Sequence, residues 1–279
     1  MLVLYTSTKN ERKSIMKTLI AIIIMMITLC SCSITGRMGS PEVDMTDLEL
    51  VRHDDFNTFD WWGVGSNWGG WWVLSHPIKP CCRYVQPVVT DGVAIFQPRI
   101  EPKDGYPYAI AKINSYPFMQ KYGCWTFRFK INQGHGTRHA IWGWADSNET
   151  PKPPSLYREI DFIEVDEYGK MKINVHYGFR IKGKSEQIGP IYLNALKPGE
   201  WQVMDFKWTP DEMSWYVDGK RVYKMTNKRV LKWFNENPSG IWTMLDQDII
   251  GPVGMHPGSM IVDYISIYRL KEYSISIFQ

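Results

Sequence analysis

Short runs of apolar and β-branched residues, broken by Gly, Pro, Asn and Asp, recur from about Leu48 to Leu270. Most of these runs are too short for a typical helix and are rich in the residue types that favour strands. The predicted strands are 92–97, 109–114, 123–131, 140–144, 159–165, 172–177, 201–209, 212–217, 220–225 and 260–269. Many short strands with almost no helical pattern between them predict an all-β sandwich.

Two turns and one helix complete this pattern. Asp218-Gly219 is the strongest short-range signal for a tight turn between two strands, and Glu167-Tyr-Gly169 reverses the chain after the strand 159–165. A short helix is predicted over 228–236. Asn237-Pro238 ends it, because a residue that precedes proline is biased away from the helical region.

The composition narrows the class of protein. Apolar residues make up 44% of the chain and charged residues 22%, which is ordinary for a soluble globular protein and excludes general disorder. Thirteen Trp and fifteen Tyr are more than a core needs, and exposed aromatic rings bind the apolar faces of sugars well. A net charge of +3 without a long basic run argues against nucleic acid as a partner.

The N-terminal segment has the pattern of a secretory signal, with Lys17 before an apolar run at 19–29. This run of roughly eleven residues is too short to span a bilayer. Leu29-Cys-Ser-Cys32 resembles the bacterial lipobox, which would leave a lipid on Cys32. We therefore expect an exported lipoprotein of the bacterial cell envelope, in contact with the membrane only through this anchor, with Met16 a more natural start than Met1.

The expected domain organisation follows from these boundaries. The signal covers 1–32, a polar tether 33–47, the β-sandwich domain 48–270 and a tail 271–279, and a monomer is expected. Cys81, Cys82 and Cys124 lie outside the signal. Adjacent cysteines rarely bridge each other because the geometry is strained, so a bridge from one of them to Cys124 and free buried thiols both remain open. Their spacing does not resemble a zinc site.

The stretch Glu159-Ile-Asp-Phe-Ile-Glu164 carries the candidate chemistry. Alternate side chains of a strand point to opposite faces, so Glu159 and Asp161 share one face. In a regular strand Ile163 would come next on that face, yet the third acid is Glu164. A β-bulge between Asp161 and Glu164 would restore the third acid to the same face.

Three carboxylates on one face raise the pKa of at least one of them, because like charges disfavour simultaneous ionisation. Retaining hydrolysis of a glycosidic bond needs one ionised carboxylate as nucleophile and one protonated acid, about 5 to 5.5 Å apart. The alternative is an ordinary charged strand face. Asp166 and Glu167 add further acid, however, and the repulsion would be unfavourable without a function. We therefore predict a glycoside hydrolase that cuts inside polysaccharide chains and needs no cofactor for catalysis.

The acidic stretch resembles the Glu-x-Asp-x-x-Glu signature of glycoside hydrolase family 16, in the bulged form found in laminarinases, agarases, porphyranases and carrageenases. Further stretches resemble the family's strands and extend the likeness over about residues 50–270. They are Asp91-Gly-Val-Ala-Ile95, Tyr122-Gly-Cys-Trp-Thr-Phe127, Ala140-Ile-Trp142, Trp215-Tyr-Val-Asp-Gly-Lys220 and Val262-Asp-Tyr-Ile-Ser-Ile-Tyr268. The resemblance implies a concanavalin A-like β-sandwich, or jelly roll, with a concave substrate cleft.

The resemblance also implies roles for single residues. Glu159 would be the nucleophile, Glu164 the general acid/base, and Asp161 the group that tunes Glu159. Trp142 would form the cleft floor, and His176 would be a cleft histidine, with a satisfied core histidine as the alternative. A structural calcium, frequent in the family, would be held partly by Asp263; one carboxylate alone indicates little.

The substrate depends on residues around the predicted cleft. Tryptophans 61, 62, 68, 71 and 72 cannot all face inward along one strand, so Trp68, Trp71 and Trp72 are expected to be sugar platforms. Cationic residues that flank the predicted cleft strands are Arg138, His139, Arg158, Arg180 and Lys182. His139 replaces the family's usual proline, and the insertion 146–157 lengthens the loop that enters the catalytic strand.

Guanidinium groups bind sulfate-like anions well, so the cationic residues favour an agar-, porphyran- or carrageenan-type galactan, unless they form an ordinary solvated face. A neutral β-glucan such as laminarin or mixed-linkage glucan is the alternative substrate. A non-catalytic carbohydrate-binding jelly roll is the alternative function, because a fold does not fix a function.

Overall fold

A computed structural model describes most of the predicted domain, all within one compact unit of the chain, 39–279. The described residues are 43–57, 73–74, 81–115, 118–145, 155–166, 168–181, 184–195, 197–253 and 256–273. No helix in these ranges is long and apolar enough to cross a membrane. The predicted signal with Cys32 and the tryptophans at 61–72 lie outside the described residues, so export, lipidation and the domain boundaries stay predictions.

The first sheet has eight strands, and all its pairings are antiparallel. Its strands are β1 (Leu48–Asp54), β4 (Val88–Thr90), β5 (Val93–Phe96), β8 (Gly123–Asn132), β13 (Gln202–Trp208), β14 (Met213–Val217), β15 (Lys220–Met225) and β17 (Ser259–Leu270). Their order in space is β15-β14-β13-β8-β17-β5-β4, and β1 pairs with the second half of β17.

The second sheet has nine strands. They are β2 (Val73–Leu74), β3 (Cys82–Val85), β6 (Arg99–Lys103), β7 (Tyr106–Asn114), β9 (Thr137–Trp144), β10 (Ser155–Val165), β11 (Met171–Ile181), β12 (Lys184–Tyr192) and β16 (Trp242–Ile249). Their order is β12-β11-β10-β9-β16-β7-β2, with β3 and β6 also paired to β7. The β3–β7 pair is parallel.

The core lies between the two sheets and contains many of the aromatic residues. Phe162 of the second sheet packs against Phe206 and Trp125 of the first, with ring centroids 4.8 and 6.1 Å away. Trp208 and Trp215 are also fully buried, so these tryptophans serve the core and not a sugar site. The predicted all-β jelly-roll sandwich is confirmed.

Local predictions agree with this architecture. The helix α1 spans Lys228–Asn235, and the side chain of Asn227 caps it by accepting hydrogen bonds from the backbone N–H groups of the first turn. Asp218 and Gly219 adopt positive φ values of 46° and 94° in the hairpin between β14 and β15. The three cysteines at 81, 82 and 124 are free thiols, so the alternative of a disulfide bridge to Cys124 is wrong.

Gly123 at the start of β8 shows why one residue of the family-like Tyr122-Gly123 stretch must be glycine. Its φ is 129°, and a Cβ built on it would lie 1.8 Å from the carbonyl oxygen of Tyr268 on β17. A backbone atom cannot move aside as a flexible side chain would. The pairing of β8 with β17, at the centre of the first sheet, therefore depends on the missing side chain.

We predict that Gly123→Ala lowers the free energy of unfolding by about 3 kcal/mol or more, from left-handed strain together with overpacking. Gly105→Ala is the matched control, because Gly105 also has a positive φ, 83°, while a Cβ there meets no described atom within 4 Å. We expect a loss of only about 1 to 2 kcal/mol for this variant. Equal losses for the two variants in urea denaturation would contradict the steric argument.

Candidate active site

A β-bulge in β10 places the three acids on one face of the second sheet. Asp161 and Ile163, two residues apart, pair with consecutive residues of β9, so β10 carries one extra residue at this point. Phe162 and Ile163 are both fully buried in the core. Asp161 and Glu164 therefore both point away from the core, and the bulge predicted from the sequence is confirmed.

Glu159, Asp161 and Glu164 line a cleft of about 430 Å³ on the sheet face opposite the core. Its lining residues come from six neighbouring strands, β12, β11, β10, β9, β16 and β7. The structure thus brings together the three acids that the sequence singled out.

The proton-binding groups of the free site are Glu159 and Asp161. Burial raises the pKa of Glu159 to about 7, opposed by the hydroxyl of Tyr157, which donates a hydrogen bond of 2.8 Å to its Oε2, and reinforced by the charge of Glu164. Burial and the neighbouring charge of Glu159 raise the pKa of Asp161 well above its usual value. This pair therefore retains a proton at near-neutral pH.

Glu164 has a different environment, because two cations hold its carboxylate. Its Oε1 lies 2.6 Å from Nη1 of Arg138 on β9, and its Oε2 lies 3.0 Å from Nζ of Lys172 on β11. Paired cations offset the cost of burying a carboxylate and favour its ionised form. The free site thus keeps its proton near Glu159 and Asp161, while Glu164 is held by two cations.

His176 of β11 lies in the cleft, so the alternative of a core histidine is wrong. Its Nε2 is 3.8 Å from Oε1 of Glu159 and 3.6 Å from Oδ2 of Asp161. The amide of Asn174 donates a 2.9 Å hydrogen bond to this nitrogen, so Nε2 accepts and the ring is neutral. Burial lowers the pKa of His176, which agrees with a neutral ring.

Ligand-type atoms of Glu159, Asp161 and His176 lie within 4.8 Å of one another, a spacing that would also suit a cation. The amide of Asn174 occupies the nitrogen of His176 that faces the two acids, which leaves the carboxylates of Glu159 and Asp161 as the free ligand groups. We therefore interpret this group as an acid cluster.

Aromatic rings form the floor beside the acids. Trp142 and Trp144 of β9 are in edge contact with centroids 6.0 Å apart, and Trp144 meets Tyr157 at 4.8 Å. Trp142 lines the cleft, as predicted. Sequence reasoning missed Tyr157 and Trp144, although each is two residues from a predicted site residue and so shares its face.

Comparison with known proteins agrees with this geometry. The family model described as glycosyl hydrolases family 16 matches residues 102–245, about half of the chain. The chain belongs to glycosyl hydrolases family 16. The family membership predicted from the acidic stretch is thus confirmed.

Relatives with known descriptions share most of the chain. It is 25% identical over 274 residues to a β-glucanase from Rhodothermus marinus, which covers 88% of this chain and 92% of that protein. The structure of the laminarinase from the same organism has a TM-score of 0.63 and 22% identity, over 80% of this chain and 97% of that one. A κ-carrageenase from Zobellia galactanivorans has a TM-score of 0.61 and 18% identity, over 84% and 100%. At this identity the two solved structures show the shared family 16 fold.

Two residues predicted to bind substrate lie on the wrong side of the sheet. His139 is buried on the core face, since its neighbours Arg138 and Ala140 occupy the cleft face. Arg158 donates from Nε to the backbone carbonyl of Trp233 at 2.7 Å, and its guanidinium lies over that ring. Strand alternation explains both corrections, because each residue directly adjoins a residue that lines the cleft.

Other predicted cleft residues cannot be placed. Trp68, Trp71, Trp72 and Lys182 lie outside the described residues, as does the side chain of Arg180. Arg138 lines the cleft, as predicted.

The predicted calcium ligand Asp263 has a cationic partner already. Arg128 of β8 forms an ion pair with the Asp263 carboxylate, and the Arg128 guanidinium lies 4.6 Å from the ring of Trp201. A carboxylate that is neutralised by a guanidinium does not fit the all-oxygen surroundings that calcium prefers. Calcium binding elsewhere in the chain stays a prediction.

Four charged residues of the cleft had no part in the sequence predictions. Asp246 and Asp248 of β16 project into it, Lys112 of β7 pairs with Asp246 at 2.5 Å, and Lys172 binds Glu164. Alternation along β16 would have placed both aspartates on one face, but nothing local indicates that β16 and β7 lie beside β9.

We predict that His139 makes folding sensitive to acid. Burial lowers the pKa of His139 to about 4, below its ordinary value of 6.5, and neither ring nitrogen has a hydrogen-bond partner among the described residues. The unfolded chain therefore binds a proton first as the pH falls. We expect the free energy of unfolding to fall by about 3 kcal/mol between pH 6.5 and pH 4 from this group alone.

His139→Leu isolates this contribution, because leucine fills the buried position without titrating. Urea denaturation of both proteins from pH 7.5 to pH 4 should show the wild type losing stability faster than the variant. Parallel curves would mean that His139 is not buried in its neutral form.

Proposed function

We propose that this family 16 protein is a retaining, endo-acting glycoside hydrolase that cleaves a neutral β-glucan. The observation that carries the proposal is the bulge of β10, which puts Glu159, Asp161 and Glu164 on one wall of the cleft. A retaining mechanism needs one carboxyl group as nucleophile and a second as general acid/base, and the two glutamates of this strand supply such a pair.

In the first step, the Glu159 carboxylate attacks the anomeric carbon and forms a glycosyl ester. The Glu164 carboxyl gives its proton to the glycosidic oxygen, and the leaving sugar departs as an alcohol. In the second step, the Glu164 carboxylate takes a proton from water, whose oxygen attacks the anomeric carbon and releases Glu159. Asp161 shares the cleft face with Glu159 and is the group that tunes it.

The width of the cleft supports action inside a chain. Its lining crosses six neighbouring strands. At about 4.8 Å between strands, this corresponds to about 24 Å, enough for several sugar units on both sides of the acids. Trp142 and Trp144 offer aromatic surface along this path.

The charges in the cleft favour a neutral sugar chain. Three cationic side chains line it, against five carboxylates. Each of the cations, Lys112, Arg138 and Lys172, already pairs with a carboxylate at 3.0 Å or less. A sulfate group would have to displace one of these partners and approach the remaining acids, which like-charge repulsion opposes.

The described residues therefore support a sulfated galactan less than a neutral glucan. Of the cations on which the galactan prediction rested, Arg138 is the one that the described residues place in the cleft, and two carboxylates already hold it. The β-glucanase relative, 25% identical over 88% of this chain, agrees with a β-glucan.

We predict that the protein releases oligosaccharides from laminarin or mixed-linkage β-glucan, and not from agarose, porphyran or carrageenan. Glu164→Gln and Glu159→Gln should each lower kcat/KM at least about a hundredfold. Glu186→Gln is the matched control, since this acid is exposed and pairs with Arg229 outside the cleft. We expect it to retain wild-type activity.

Three outcomes of this assay would contradict the proposal. Cleavage of a sulfated galactan alone would overturn the charge argument. Binding of one polysaccharide without any cleavage would favour the non-catalytic alternative. Full activity of Glu164→Gln would remove the acid/base role from that residue.

We predict that kcat/KM falls as the pH rises through about 7. The reaction needs one proton shared by the two glutamates, and the pKa of Glu159, raised by burial to about 7, marks where the free site loses that proton. The decline should approach tenfold per pH unit. Tyr157→Phe removes a hydrogen bond that favours the ionised form of Glu159, so the decline should move to higher pH in this variant. A flat profile from pH 6 to pH 9 would contradict this account of the proton.

A further inference from the structure

Arg138 bridges two carboxylates on different strands. Its Nη1 lies 2.6 Å from Oε1 of Glu164 on β10, and its Nη2 lies 2.6 Å from Oδ2 of Asp248 on β16. The Arg138 side chain is 37% exposed, while those of Glu164 and Asp248 are at most 10% exposed. The Arg138 side chain is thus the most exposed member of this trio.

The bridge conflicts with the role that the proposed function gives to Glu164. A general acid must carry a proton when the glycosidic bond breaks. Both oxygens of the Glu164 carboxylate are held by cationic donors, Oε1 by Arg138 and Oε2 by Lys172, so neither oxygen is free to carry that proton. One of these contacts must weaken before Glu164 can accept the proton that the free site keeps near Glu159.

We propose that Arg138 is a positioning residue that releases Glu164 when the leaving-group sugar enters the cleft, and that it keeps its ion pair with Asp248. This inference rests on the proposed function and deepens it. The proton then moves from the pair of Glu159 and Asp161 to Glu164, so that one carboxyl loses a proton, another gains it, and the proton count of the site is unchanged.

Asp248 keeps a negative partner beside Arg138 when Arg138 leaves Glu164. A guanidinium that left Glu164 without another partner would be an uncompensated charge in a partly buried site, which is unfavourable. Because its two Nη atoms bind separately, Arg138 can lose one carboxylate and keep the other. Lys172 has no such alternative, since Glu164 is its ion-pair partner among the described residues.

The charged and titratable groups that face Glu164 all affect its proton. Arg138 lies on β9, and Glu159 and Asp161 lie on β10. The other neighbouring strands contribute Lys172, His176, Asp246, Asp248 and Lys112. Arg138 differs from the other cations in that it holds Glu164 and a second carboxylate at the same time.

The pH dependence of two kinetic constants tests the inference, because kcat/KM reports the free enzyme and kcat the substrate complex. In the wild type, the decline of kcat/KM at high pH should occur at lower pH than the decline of kcat. In Arg138→Gln we expect the kcat/KM decline to move up by about one pH unit, since one opposite charge is lost from the free site. The kcat decline should move much less, because Arg138 has already left Glu164 in the complex.

Lys172→Gln is the matched control. It removes the other cation from Glu164, but this contact persists in the complex, so the declines of kcat/KM and kcat should move together. Unequal movement in Arg138→Gln with equal movement in Lys172→Gln supports the release of Glu164. Equal movement in both variants, or no movement in Arg138→Gln, overturns it.

A crystal structure provides a second measurement that does not depend on the folding of an Arg138 variant. In Glu159→Gln soaked with a laminarin oligosaccharide that spans the acids, the contact between Arg138 and Glu164 should open beyond 4 Å while that with Asp248 persists. An intact bridge in this complex would overturn the inference. Failure of the proposed function is a different result, in which the wild type cleaves none of the polysaccharides of the activity assay.

Discussion

The catalytic face depends on the packing of one extra residue, Phe162, in the core. Its ring lies 4.8 Å from that of Phe206 and 5.2 Å from that of Phe127. Without the bulge, regular alternation would turn Glu164 into this aromatic core, where an unpaired carboxylate costs several kcal/mol. Apolar packing on one side of the sheet thereby fixes the positions of charges on the other side.

Once three acids share a face, their neighbours decide which of them holds a proton. Glu159 has a hydroxyl and a neutral imidazole beside it, whereas Glu164 has two cations. Identical side chains on one strand thus have different electrostatic surroundings. Because every described cation of the cleft is paired, the site can hold five carboxylates without attracting further anions.

Features that depend on local periodicity could be predicted from the sequence. The helix, the Asp218-Gly219 hairpin and the bulge each follow from residues a few positions apart. His139 and Arg158 lie on the far face because strand parity, and not nearness to the motif, sets the direction of a side chain. The contributions of Asp246 and Lys112 could not be predicted, since they require the order of β9, β16 and β7 in space, which no local pattern encodes.

This difference between local features and contacts across strands explains why family membership indicates the chemistry of this chain more firmly than its substrate. The acids belong to one strand and are set by its bulge, so a short stretch of sequence identifies them. The charge that a sugar meets is set by pairs between strands that are distant in the chain, such as Arg138 with Asp248 and Lys112 with Asp246. A cationic residue near the motif therefore says little about anionic substrates until its partner is known, because a paired guanidinium presents no net charge to a ligand.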